Sequence, residues 1–201
     1  ATFTSVQISL GGKNILNTGK TLAITGALTI TGELEMADDS VVDAGGDVTV
    51  SGTLDMIGSA RLKMEGDLSF SGTLEASATS RIDLDGGSEQ TISGSATPAF
   101  NRIFCSSSAT VFNLTATIND TLDAGGEAFT ISSGKTLTMA AGSVTILSGG
   151  TWTRTGTLTL NAASKVLYTT SDQTALPNIT FGNVEHDGGT LFHTSDFTVA
   201  G

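Results

Sequence analysis

Between Thr21 and Asp85 apolar and polar residues alternate in runs of three or four, and the alternation falls into lines of twenty: TLAITGALTITGELEMADDS, VVDAGGDVTVSGTLDMIGSA, RLKMEGDLSFSGTLEASATS, RIDLD. Leu22, Val42, Leu62 and Ile82 share one column, and Ile24, Ala44, Met64 and Leu84 share another. Leu28, Val48 and Leu68, then Ile30, Val50 and Phe70, then Leu34, Leu54 and Leu74 complete the apolar set. A period of two within each run means strand, because successive side chains point to opposite faces. Repetition every twenty residues means a solenoid, in which each unit buries its apolar face only by stacking on its neighbours. The pattern predicts an all-β chain, a right-handed parallel β-helix with rungs of about twenty residues and three short strands per rung. Gly26, Gly46 and Gly66, with Gly32, Gly52 and Gly72, separate the runs, and positive φ at the corners is the expected reason for them.

The period loosens after residue 86. We read a single β-solenoid over 1–201, with regular rungs over 1–86, irregular longer rungs over 87–113, further rungs over 114–170 and irregular final rungs over 171–201. The break from Ser171 resembles the first: each has Gln-Thr, then a proline (Pro98, Pro177), an aromatic residue, Asn and an aliphatic residue. GGEAFTISSGKTLTM from Gly125 echoes GGKNILNTGKTLAI from Gly11, which predicts a second-order duplication. DFTVAG at 196–201 matches DVTVSG at 47–52, so both ends read as running repeat. Open solenoid ends expose apolar columns and unpaired strand edges. The expected covering is further rungs of a longer chain or a second copy stacked head to tail.

Composition narrows the function classes. Twenty acidic residues against nine basic ones give a formal charge of −11, which disfavours nucleic acid as a partner. One cysteine, Cys105, excludes an intramolecular disulfide and a multi-cysteine metal site. No apolar run has the length of a bilayer-spanning helix, and no signal-peptide pattern opens the sequence, so an exported chain would already have lost its signal.

The phrases GSEQTISGS, GKTLTMAAGSVTI and GTLTLNAASKV resemble the β-helical regions of secreted bacterial surface proteins: filamentous adhesins, autotransporter passengers and the repetitive surface proteins of Bacteroidetes-like bacteria. The resemblance implies export, a cell-surface or extracellular location, and a role as stalk, adhesin scaffold or filament subunit rather than as an enzyme. It transfers no functional residue.

Several clusters carry candidate chemistry. Asp43, Lys63 and Asp83 share an outward column, with Glu65 and Asp85 two residues along. Enzymes built on right-handed β-helices place carboxylates and a basic residue on such a face, so these five and Trp152, which could stack on a sugar ring beside Tyr168, form the carbohydrate-binding candidate. The simpler reading is a solvated charge ladder that includes Arg61 and Arg81. Thr29 and Thr31, Thr49 and Ser51, Ser69 and Ser71 form a hydroxyl ladder like that of ice-binding solenoids. No cofactor is expected; Glu33, Glu35, Asp38, Asp39, Asp55 and Glu75 offer at most a weak surface calcium site. His186 and His193 lack a nucleophile or carboxylate pattern around them, and Cys105 reads as a small buried residue. Asn113, Asn119 and Asn178 stand in sequons that chance alone would supply.

Overall fold

The computed structural model describes residues 2–161, 163–169, 173–174, 179–181, 183–186, 191–192 and 197–199. Every element in it is a strand, and every strand pair is parallel. Three faces wind around one core, each strand pairing with its equivalent a rung away. Thr21–Ile24, Val41–Ala44, Arg61–Met64 and Arg81–Leu84 stack on the first face, Leu28–Ile30, Val48–Val50 and Leu68–Phe70 on the second, and Glu33–Met36, Thr53–Met56 and Thr73–Ala76 on the third. The fold is a β-solenoid with three-stranded rungs of about twenty residues. The apolar columns of the sequence are the structural columns: Leu62 faces Val42 and Ile82, Leu68 faces Val48, and Leu54 faces Leu34 and Leu74. Val42, Leu62, Val48, Leu68, Phe70 and Leu54 are wholly buried. Truncating a residue so placed costs about 2–5 kcal/mol, because the stacked backbone cannot collapse into the hole.

The glycines correct the sequence expectation. Gly26, Gly46, Gly66, Gly32, Gly52 and Gly72 are absent from the positive-φ set. What requires glycine is close approach between rungs: a Cβ on Gly52 would lie 1.9 Å from the Gly32 carbonyl oxygen, and one on Gly72 would lie 1.9 Å from that of Gly52. Positive φ belongs instead to tight turns, as at Gly19, Gly134 and Gly142, and Asp39 adopts it without being glycine.

Beyond residue 86 the rungs change length without losing register. Arg81 pairs with Arg102, but Leu68 pairs with Ile92, so the corner after Asp85 holds four residues more than the regular rung. Gln90 fills this corner from within: Gly86 N donates to its Oε1 at 2.9 Å, while its Nε2 donates to the carbonyls of Met64 at 3.0 Å and Gly66 at 2.6 Å. Ala99–Cys105 and Ala116–Asp123 are long strands that bend across a corner and serve the third face with their first residues and the first face with their last. The bulge between them lies in the second, where Asn119 and Asp120 oppose Asn101 alone, and the buried Asn101 amide donates to the Ala78 carbonyl. Pro98 is buried just ahead of Ala99–Cys105; Pro177 lies outside the described residues.

The sequence echoes fare unequally. Lys13–Leu16 and Thr21–Ile24 occupy the third and first faces, whereas Ala128–Ile131 and Thr136–Met139 occupy the second and third. That duplication is therefore a repeat of a strand-turn-strand unit and not of a rung. All three faces alternate inward and outward alike, so one unit fits any of them. The two breaks do keep phase, because Arg102 and Asn183 both lie on the first face.

Candidate functional site

Parallel stacking converts a twenty-residue spacing into a row of side chains about 4.8 Å apart. On the first face two outward rows run side by side. One holds Arg61, Arg81 and Arg102; the other holds Asp43, Lys63, Asp83, Phe104 and Asp123. Asp83 sits between guanidiniums and is the most buried carboxylate of the group, its side chain 5% exposed. It pairs with Arg61 Nε through Oδ2 and with Arg81 Nε at 2.8 Å through Oδ1, and Arg81 Nη2 donates to Oδ2 at 3.2 Å. The Oδ1 contact is an ion pair without an aligned hydrogen bond, so Oδ1 retains an unfilled acceptor position. Lys63 Nζ bridges Asp43 at 3.4 Å and Asp85 at 3.1 Å, and these carboxylates, Asp85 first, raise its pKa. The Arg81 guanidinium lies 4.6 Å from the Phe104 ring centroid, a cation–π contact.

Beside these rows a cleft of about 360 Å³ opens over the corner, lined by Arg61, Arg81, Asp83, Asp85, Phe104 and Asp123 and floored by Ser106, Gly125 and Ser148. Gly125 takes φ of +64°, and its amide donates to Asp123 Oδ1 at 3.0 Å. Cys105 borders the cleft from the core side; burial pushes its thiol up to about 12, which leaves it a protonated packing group.

No family model, no characterised protein and no solved structure matches this chain. Its chemistry has to be read from its own geometry.

Of the five charged residues singled out in the sequence, the structure gathers Asp83 and Asp85 into the cleft, with Lys63 tying Asp85 to Asp43 at its margin. Glu65 points away, towards a separate shallow hollow of about 270 Å³ shared with Asp43, Thr2 and Gly45. Arg61, Arg81, Phe104 and Asp123 complete the cleft. Spacing alone did not single out Asp123, because the rungs between it and Asp83 depart from the twenty-residue step.

Trp152 is elsewhere. Its backbone pairs in register with Phe129 on the second face, and the two rings stack at 4.3 Å between centroids and 22° between planes. One face of the indole is thus covered by core, and Tyr168 is wholly buried. In the hydroxyl ladder, Thr29, Thr49 and Ser69 do share an outward row on the second face. Thr31, Ser51 and Ser71 lie past the strand ends, and the first two hydroxyls donate to rung carbonyls, Thr31 to Ile8 at 3.0 Å and Ser51 to Ile30 at 3.4 Å.

The acidic residues divide similarly. Glu35, Asp55 and Glu75 stack in register on the third face, with Lys13 paired to Glu33 at 2.9 Å and to Glu35. Desolvation and the flanking carboxylates raise the pKa of Asp55. Asp38 and Asp39 belong to a turn and bind Ser59, whose backbone and side-chain hydrogen bonds lower the pKa of Asp38. Among the described residues no three His, Cys, Asp or Glu side chains converge as metal ligands. Asn113 and Asn119 are exposed; His193 and Asn178 lie outside the described residues, as does the side chain of His186.

Proposed function

We propose that this chain is a structural β-solenoid of the bacterial cell surface or extracellular matrix, a stiff spacer that lengthens by adding rungs at its ends, and not an enzyme. The observation that carries the reading is the uninterrupted stack: each strand between Thr21 and Phe70 pairs in register with its equivalent in the rung before and the rung after. Their inward side chains form one continuous core, so each rung stiffens its neighbours. A charge of −11 opposes contact between copies at long range, and salt weakens that opposition.

Cryo-electron microscopy and light scattering of purified protein at rising concentration and ionic strength test this. End-to-end filaments that lengthen with salt support the proposal. Monomers persisting at every concentration and salt level would overturn assembly of copies.

A further inference from the structure

We propose that a threonine array on the third face adsorbs to ice, a role independent of whether copies assemble. Ala116–Asp123 begins on this face, and Thr136–Met139 and Thr157–Leu160 stack on it in unbroken register. Buried Ala116, Leu137 and Leu158 alternate with outward threonines. Thr115, Thr136 and Thr157 therefore form one row, and Thr117, Thr138 and Thr159 form a second. Ahead of them exposed Thr97 and Ala99 flank buried Pro98, and Ala99 pairs with Thr117, which carries the pattern into a further rung. The step between these rungs departs from twenty residues, so the array does not show in the regular lines of the sequence.

Charge and geometry select the partner. No charged side chain stands in the array, although the same face carries Lys13, Glu33, Glu35, Asp55 and Glu75 in earlier rungs and the whole chain carries −11. An ionic surface finds nothing there to pair with. Thr115 Oγ1 accepts from Thr136 N at 3.3 Å, and the other hydroxyls of the two rows have no hydrogen-bond partner among the described residues. Those of Thr31 and Ser51, on the ladder of the regular rungs, are engaged by rung carbonyls. β-Branching restricts χ1, so the hydroxyls and methyls of the array are ordered before contact. Neighbours lie about 4.8 Å apart along the stack and about 6.6 Å apart across it, twice the rise per strand residue, close to the repeats of a prism face of ice. The array holds no aromatic ring, which disfavours a sugar sheet, because sugars seat their C–H faces on such rings. Its area, on the order of 200 Å² from these spacings, falls well short of the roughly 800 Å² that each partner gives to a stable protein interface. Ice needs no such area, because its growing front encloses a molecule that is held even briefly.

The test is slow growth of ice from a dilute solution of the whole chain, with nanolitre osmometry for crystal shape and thermal hysteresis. The protein is expected to enter the ice, facet the crystals and open a hysteresis gap. Thr138→Lys and Thr159→Lys, at a half-buried and an exposed position of the array, should each abolish all three effects. Thr49→Lys, the same change on the second face, should leave them intact, and melting curves confirm that each variant folds. Exclusion of the parent protein from ice, activity that survives both array variants, or equal loss in Thr49→Lys would overturn the assignment. Sedimentation with microcrystalline cellulose or chitin, without entry into ice, would overturn it in favour of a polysaccharide surface.

Discussion

At Gly52 the chain has room for a hydrogen atom and nothing larger, since the Gly32 carbonyl oxygen stands where a Cβ would go. Gly87 differs: a Cβ there would meet nothing within 4 Å, and its φ is not positive. We expect Gly52→Ala to lower unfolding stability by about 1–3 kcal/mol, the usual cost of overpacking. Gly87→Ala should be neutral or stabilising by up to about 1 kcal/mol, because it removes disorder from the unfolded chain. Urea titration of the pair decides; equal effects would sink the close-approach explanation. Sequence periodicity marked the glycine positions but not their cause, because spacing along one rung carries no measure of distance to the next. Thr145 makes a similar point inside the core. It stands in register between Leu122 and Val166, wholly buried, and its hydroxyl has no partner. Thr145→Val keeps the shape and removes the orphan, so a gain of about 1 kcal/mol should appear in the same titration.

Stacked strands turn single charges into columns, and a column has its own titration behaviour. Desolvation first, then the charges of Glu35 and Glu75 on either side, hold the folded pKa of Asp55 above the ordinary aspartate value of 3.8. The folded state therefore holds this proton more tightly than the unfolded state, and Asp55 costs stability as pH rises above 3.8. Asp55→Asn should raise the melting temperature at pH 7, by an amount reflecting a like-charge cross-strand pair of about 0.2–1 kcal/mol. The advantage should fade as pH falls towards 3.8. Asp38 acts in the opposite sense: its pKa is lowered, so its contribution is present above 3.8 and is lost as pH falls below it. Comparing variant with parent at each pH isolates the Asp55 effect. An advantage that persists unchanged into acid would show that ionisation of Asp55 is not its source. The column was legible in the sequence because 35, 55 and 75 obey the regular step. The cleft was only half legible, because Asp123 reaches it through the bent strands Ala99–Cys105 and Ala116–Asp123, whose irregularities have no signature in an alternation of polar and apolar residues.

Across the whole molecule, stability passes from rung to rung, each interior rung supported on both sides. In the isolated 201-residue chain Thr2–Phe3, Val6–Ile8 and Lys13–Leu16 pair on one side only, so backbone amides over 2–16 of that chain should exchange with solvent faster than those over 41–70. Hydrogen-exchange mass spectrometry would read this directly, and uniform protection along a monomer would contradict it. The architecture was the most legible feature, since every register over 21–85 followed from the lines of twenty. The corner after Asp85 shows what those lines tolerate. There the chain makes a four-residue detour and returns to unbroken pairing on both flanks, with Gly87 and Ser88 at its exposed tip. Such a corner is a grafting port: a foreign peptide spliced between Gly87 and Ser88 would be displayed at a fixed height on a rigid mast, and repeated ports would space an epitope array by whole multiples of the rung height.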